Sequence, residues 1–176
     1  MSCSQTLSGI AKDCTGNMGG IKRVLIANAD DVASLTLTDD VITAITMVSA
    51  GTPPVSAKFV EFYFRPNTSN MTSTWQVNNE NGTNYVQTLL QMIFNRMETS
   101  KRVAIMALAQ AETVAIVEDM NGKYWYLGHD NPMFLNAGDG PTGTARADRN
   151  GYSITLEDDS KALPYEVDDA IISGLL

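Results

Sequence analysis

With 176 residues, 44% of them hydrophobic and only 18% charged, the chain is long enough for one domain with a real core and too apolar for intrinsic disorder. Its charged fraction lies below the roughly 25% of an average soluble domain, so Thr, Ser, Asn and Gly must supply much of the polar surface. The net charge of −8 is uneven: Glu118 and the residues after it include eleven acidic and four basic side chains, against nine and eight before it. This excludes ordinary phosphate-neutralising DNA binding, which needs clustered Lys and Arg.

Met1 to Gly20 is rich in Ser, Thr, Gly and Asn and reads as an extended arm. It has neither a basic start nor an apolar run, so it does not read as a secretion signal. No segment approaches the roughly 20 apolar residues of a membrane-spanning helix. Synthesis in a cytoplasm and no membrane partner are therefore expected. Cys3 and Cys14 both fall in the arm, two thiols that do not make a disulfide framework.

Ile21 to Asn28 follows as a first strand, stopped by Asn28, Asp30 and Asp31. Val32 to Thr38 alternates, with Val32, Ser34, Thr36 and Thr38 on one face and Leu35 and Leu37 on the other, and Val41 to Val48 continues after Asp39-Asp40. Gly51-Thr-Pro-Pro54 is a loop by composition. Ala57 to Arg65 is an aromatic strand (Phe59, Phe62, Tyr63, Phe64), and Met71 to Asn78 alternates about Trp75 before an Asn81-Gly82 turn signal.

The period then changes. Tyr85, Val86, Leu89, Leu90, Ile93, Phe94 and Met97 recur at spacings of three and four, which predicts a helix over 84–98 with Thr83 as its N-cap. Arg102 to Ala111 is alanine-rich and apolar. It reads as a strand, because Thr113 to Glu118 beyond it leads into a turn. That turn is Asp119-Met-Asn121-Gly122, and the phrase returns as Asp148-Arg-Asn150-Gly151. Asn-Gly supplies the positive φ angles of a two-residue type I′ hairpin, so both phrases predict tight antiparallel turns. Lys123 to Leu127, Met133 to Leu135, Ala145 to Ala147, Tyr152 to Leu156 and Pro164 to Val167 complete the strand candidates. The expected fold is mainly β: an antiparallel sandwich or barrel over 21–167 with one covering helix, preceded by the arm 1–20 and followed by a tail 168–176 with few contacts of its own.

Residues that could carry chemistry do not assemble into a pattern. Gly138-Asp-Gly140-Pro-Thr-Gly143 has the letters of a dinucleotide fingerprint, but Pro141 sits inside it and no βαβ unit surrounds it, so it reads as a surface loop. The Asp-x-Asn-Gly phrases lack the third ligand position and the bidentate Glu of a calcium loop. His129, beside Asp130, has no nucleophile at a telling spacing. No catalytic residue, metal ligand or cofactor is expected. The run Glu157-Asp158-Asp159 reads as a solvated charged face. Trp125 and Tyr126 suggest either subunit contacts, together with Trp75, or the stacking platform of a carbohydrate-binding module.

Three stretches carry a resemblance: Gly19-Gly-Ile-Lys-Arg-Val-Leu-Ile-Ala-Asn28, Val117-Glu-Asp-Met-Asn-Gly-Lys-Tyr-Trp-Tyr-Leu-Gly128, and Thr142 to Leu156 with Pro164-Tyr-Glu-Val167. In style and order they resemble structural proteins of tailed bacteriophages, in particular tail-tube, tail-hub or tail-ring proteins of phages infecting gut Bacteroides-type hosts. The resemblance spans about Gly19 to Val167. It implies a non-enzymatic virion subunit, made in the bacterial host, that closes into a ring of six or twelve copies in the tail or head-to-tail connector region. Other tail or portal-region proteins would be its partners, and DNA would pass through transiently. In that setting Asp119, Glu157, Asp158 and Asp159 become candidates for lumen-facing charges that repel phosphate, and Trp75, Trp125 and Tyr126 candidates for subunit contacts. A capsid decoration or head-fibre protein is the related alternative.

Overall fold

The computed structural model describes residues 9–12, 14–51 and 55–176. It is mainly β, as expected, and sandwich-like. Thirteen strands are described: β1 (Ile21–Asn28), β2 (Val32–Thr38), β3 (Val41–Met47), β4 (Ser49–Ala50), β5 (Val55–Ser56), β6 (Val60–Tyr63), β7 (Asn70–Asn78), β8 (Thr83–Asn95), β9 (Thr113–Asp119), β10 (Tyr124–Leu127), β11 (Phe134–Asp139), β12 (Gly151–Ser160) and β13 (Tyr165–Val167). Helices α1 (Thr99–Gln110) and α2 (Asp169–Ile172) accompany them. One sheet has seven strands in the order β2-β3-β13-β10-β9-β1-β6, and the other has four in the order β11-β12-β8-β7. All pairs in both sheets are antiparallel except β13 with β3.

The period of two sorts the side chains into two cores. Val24 and Ile26 of β1 and Ala115 and Val117 of β9 face the four-stranded sheet, where they meet Leu90, Met92, Ile154 and Leu156. The alternate residues Leu25, Ala27, Val114 and Ile116 face the other way, onto Ile42, Phe59, Tyr126 and the C-terminal Ile172 and Leu175. The central strands β1 and β9 of the seven-stranded sheet are thus buried on both faces. The expected loose tail is instead a lid on the second core: Asp168 caps α2 by accepting from Ala170 N at 3.0 Å, and Leu175 O accepts from Phe59 N.

The helix lies elsewhere than expected. Residues 84–98 are mostly strand β8, whose Val86, Thr88, Leu90 and Met92 alternate inward. Its large residues occupy both faces, which imitates a helical spacing, while its β-branched and aromatic content favours a strand. The long helix is α1, in the segment read as a strand. Six consecutive residues of β9, Thr113 to Glu118, are buried and leave no room for a further strand beside them, and alanine has the highest helix propensity. Leu108 plugs α1 into the first core, and α1 packs beside β11.

The turns also divide. Asp119-Met-Asn121-Gly122 does make the β9–β10 hairpin, with Gly122 alone at positive φ and its N–H bonded to Asp119 O. This is a type I turn closed by a left-handed glycine, not type I′. The type I′ signature, two successive residues at positive φ, falls on Asp39 and Asp40 between β2 and β3. Asp148-Arg-Asn150-Gly151 is no tight turn but the end of an eleven-residue connection between β11 and β12. Gly151 matters there for closeness: a Cβ would lie 2.1 Å from Phe94 O on β8. In β2, bulges between Val32 and Ser34 and between Thr36 and Leu37 shift the alternation, so Val32 and Leu35 both reach the second core.

Candidate functional site

Of the four carboxylates expected to face a lumen, none is a fully solvated charge. Asp119 organises its own hairpin, accepting from Asn121 N at 2.8 Å, Lys123 N at 2.9 Å and the Trp125 indole at 3.1 Å. Glu157, Asp158 and Asp159 are consecutive in β12, so the strand period sends Asp158 inward and the other two outward. Asp158 is 2% exposed and accepts from Ser160 Oγ at 2.6 Å. Burial pushes its carboxyl up, assisted by Asp130 and Asp159 and opposed by Ser160 and the Gly128 N–H. Glu157 is buried beneath Gln87 and Asn136, and Asp159 Oδ1 is buried without a hydrogen-bond partner. The solvated acidic patch is therefore corrected: neighbours in sequence lie on opposite faces of a packed strand.

Trp125 and Tyr126 likewise point in opposite directions. Trp125 packs against the first core, whereas Tyr126 is 1% exposed in the second. They form neither a stacking platform nor an open contact surface. Trp75, by contrast, is 52% exposed. His129 stacks against Tyr165 with centroids 4.7 Å apart and meets Asp130 at 3.2 Å. Lys161 N donates to Asp130 and, with His129, holds that carboxyl below the ordinary range. Among the described residues, no three His, Cys, Asp or Glu side chains are placed to hold a metal ion. Cys14 is exposed, and Cys3 lies outside the described residues.

What the structure does present is a broad, polar sheet face. The outward positions of the four-stranded sheet include Thr72, Thr74 and Gln76 on β7, Gln87, Leu89 and Gln91 on β8, Thr155 and Glu157 on β12, and Phe134 and Ala137 on β11. A chain of hydrogen bonds crosses all four strands: Gln76 Nε2 donates to Gln87 Oε1 at 3.2 Å, Gln87 Nε2 to Glu157 Oε1 at 2.5 Å, and Asn136 Nδ2 to Glu157 Oε2. None of the four strands contains a Lys or Arg. Period-two reading of 84–95 would have exposed Gln87 and Gln91 as one outward row, but the 3–4 apolar spacing hid it.

The sheet edges differ in the same way. The outer strands of the seven-stranded sheet are guarded: β6 has only four residues, and β2 carries two bulges. In the four-stranded sheet, β7 is nine residues long and pairs regularly with β8 on one side only, and β11 pairs only with β12. β7 is thus a long, regular free edge, while β11 is a free edge of six residues with one bulge between Leu135 and Ala137. An ion-pair group of Lys22 and Arg23 on β1, Glu118 on β9 and Glu61 on β6 instead pins the seven-stranded sheet internally. Burial pushes the Glu118 carboxyl up, but the Lys22 and Arg23 hydrogen bonds outweigh it and hold it below the ordinary range.

The described residues form several open hollows lined by both polar and apolar groups. The hollow along Lys123, Tyr124, Glu166 and Asp169 encloses about 350 Å³ and contains a Lys123–Glu166 pair at 2.5 Å. A hollow of about 940 Å³ lies between the base of the arm, Thr15 to Met18, and the β9–β10 turn. Asn121 ties the two together, accepting from Met18 N and donating to Asn17 Oδ1 and Met18 O. Neither hollow converges a nucleophile on a base.

No family model matches the chain, and no curated protein or solved structure shows a significant match to it.

Proposed function

We propose that the protein is a structural subunit that closes into a ring or tube through its four-stranded sheet, as a tail-tube, tail-hub or connector component of a tailed-phage virion. The observation that carries this reading is the strand order. In β11-β12-β8-β7 every pair is antiparallel, so the two edge strands run in opposite directions. Joining β7 of one copy to β11 of the next therefore continues an antiparallel ladder without interruption. A head-to-tail contact of this kind generates a ring when the rotation closes. Closure also pairs both free edges of the sheet, the long regular β7 above all.

The face lining such a ring is polar and acidic, since Glu157 and Asp159 are directed to it and its strands supply no base. Glutamine, threonine and a shielded Glu157 meet passing DNA, and the absence of Lys and Arg from all four strands denies phosphate a counterion-releasing anchor. The role asks for no reaction, in keeping with hollows that assemble no nucleophile and base.

Light scattering and negative-stain imaging test the proposal. The wild-type chain should form closed rings or short tubes as concentration rises. The double variant Thr74→Lys/Ala137→Lys, with a charge on each free edge, should remain monomeric with an unchanged circular dichroism spectrum. A wild-type chain that is monomeric at every concentration would remove the reading. Discrete trimers would favour a decoration or head-fibre protein.

A further inference from the structure

The core-facing side of β7 runs out of cover. Met71 packs against the first core and Ser73 bonds Thr88 at 2.8 Å, but Trp75 is 52% and Val77 60% exposed on that same face. Trp75 Nε1 has no hydrogen-bond partner among the described residues, and Glu80 at the hairpin tip is the sole charged residue between Asn70 and Asn95 and forms no ion pair there. The β7–β8 hairpin thus presents an apolar, acidic-tipped surface that none of the described residues covers.

A matching surface lies at the opposite edge of the sheet. Helix α1 packs beside β11, with Ile105 and Leu108 turned to the core that Leu135 of β11 also joins, while Val103 and Met106 are exposed. Its twelve residues include Lys101 and Arg102 and no acid. Lys101 is paired with Glu98, but among the described residues the Arg102 guanidinium reaches Met106 Sδ at 3.4 Å and forms no ion pair.

We infer that the occupant of this hairpin surface is α1 of a second copy of the chain, so that each ring joint carries a side-chain clasp in addition to strand pairing. The inference rests on the proposed β7-to-β11 joint. In a continued sheet the core side of β7 becomes the core side of the neighbour's β11, which is where its α1 lies. Trp75 and Val77 then cover Val103 and Met106, Arg102 gains an indole face for a cation–π contact, and Glu80 gains a cationic neighbour. The burial would turn an isolated tryptophan into an anchor of the sort that dominates interfaces.

Cross-linking tests this. Full-length Val77→Cys and Val103→Cys chains, each with Cys3→Ser and Cys14→Ser, are mixed and treated with a short bismaleimide, with oligomeric state measured first by light scattering. Covalent dimers in the mixture, absent when either chain is treated alone, are expected. As a second readout, Arg102→Glu should raise the concentration needed for half-assembly about fivefold, and adding Glu80→Arg to it should restore assembly. Rings that form without Val77–Val103 cross-links overturn the clasp while leaving ring closure standing. Cross-links of Val77→Cys with itself also overturn it, since they require a two-fold contact. A chain that never assembles removes the clasp and the ring together.

Discussion

The two sheets of this molecule are built for different neighbours. In the seven-stranded sheet, β9 is buried from Thr113 to Glu118, its alternate residues feed two separate cores, and its edges are short or bulged. In the four-stranded sheet one face is covered, the other carries a row of amides and hydroxyls, and both edge strands lie open. The contrast teaches that the burial that holds the subunit together is concentrated in one layer, while the other leaves backbone groups at both edges unpaired. The sheet that needs nothing from outside holds the subunit together, and the sheet that leaves its backbone unpaired at both sides is free to be completed by another chain.

The largest test of that division is a pair of truncations. Ile116→Ala, in the doubly buried strand, should cost about 2–5 kcal/mol in a denaturant titration, because a cavity is left where both layers are packed. Gln91→Ala on the outward face should change stability by roughly 0.5 kcal/mol or less. Equal losses would break the contrast. Next in size is Glu118→Gln, which leaves Arg23 facing a neutral group and should destabilise the chain by about 2 kcal/mol, less than a fully buried pair because Lys22 is exposed. Since its partners lower the folded pKa of Glu118, the carboxylate's contribution is complete above the unfolded value near 4.5 and is lost as pH falls through the folded value. The wild-type advantage over the variant should therefore shrink on acidification.

Asp158→Asn sharpens the comparison with the opposite sign. Burial raises that carboxyl, so the folded state favours the protonated form and the ionised aspartate opposes folding once pH exceeds both pKa values. The variant should melt higher than wild type at pH 7, and the gap should close as pH falls towards the unfolded value near 3.8. A lower melting temperature at pH 7 would show that the acceptor role towards Ser160 and Gly128 outweighs the charge. A small effect of stabilising sign is expected at the β2–β3 turn. Asp40→Gly relieves a positive φ of 62° and should stabilise by about 0.5–1 kcal/mol, and it should leave the proposed assembly through the other sheet unchanged.

Much of the seven-stranded sheet was legible in the sequence. Ile21 to Asn28 and the Thr113–Leu127 hairpin carry strong periodic or turn signals, and burial on both faces leaves little competition for them. The four-stranded sheet was harder because its central strand is large on both faces. Tyr85, Leu89 and Ile93 look outward while Val86, Leu90 and Met92 look inward, and the union mimics a helical stripe. The true helix was obscured in turn, since only Leu108 of α1 is fully buried and its alanines carry no period. The same blindness to pleat governed the site: Glu157-Asp158-Asp159 reads as one patch in a line of letters, yet alternation divides it between core and surface. The exposure of Trp75 comes from the hairpin outrunning the other sheet, not from its own face, which no period in the sequence encodes.

The parallel strand β13 has one further consequence. It lies between β3 and β10, so the β2–β3 hairpin joins the rest of its sheet only through three residues, Tyr165 to Val167. Those residues come after every other strand in the chain. On the ribosome, segments 32–47 must wait, tethered but undocked, until nearly 120 further residues have emerged. The last stitch to be made is therefore also the one that locks an early-made flap in place, and hydrogen exchange should find that flap opening before any other part of the sheet.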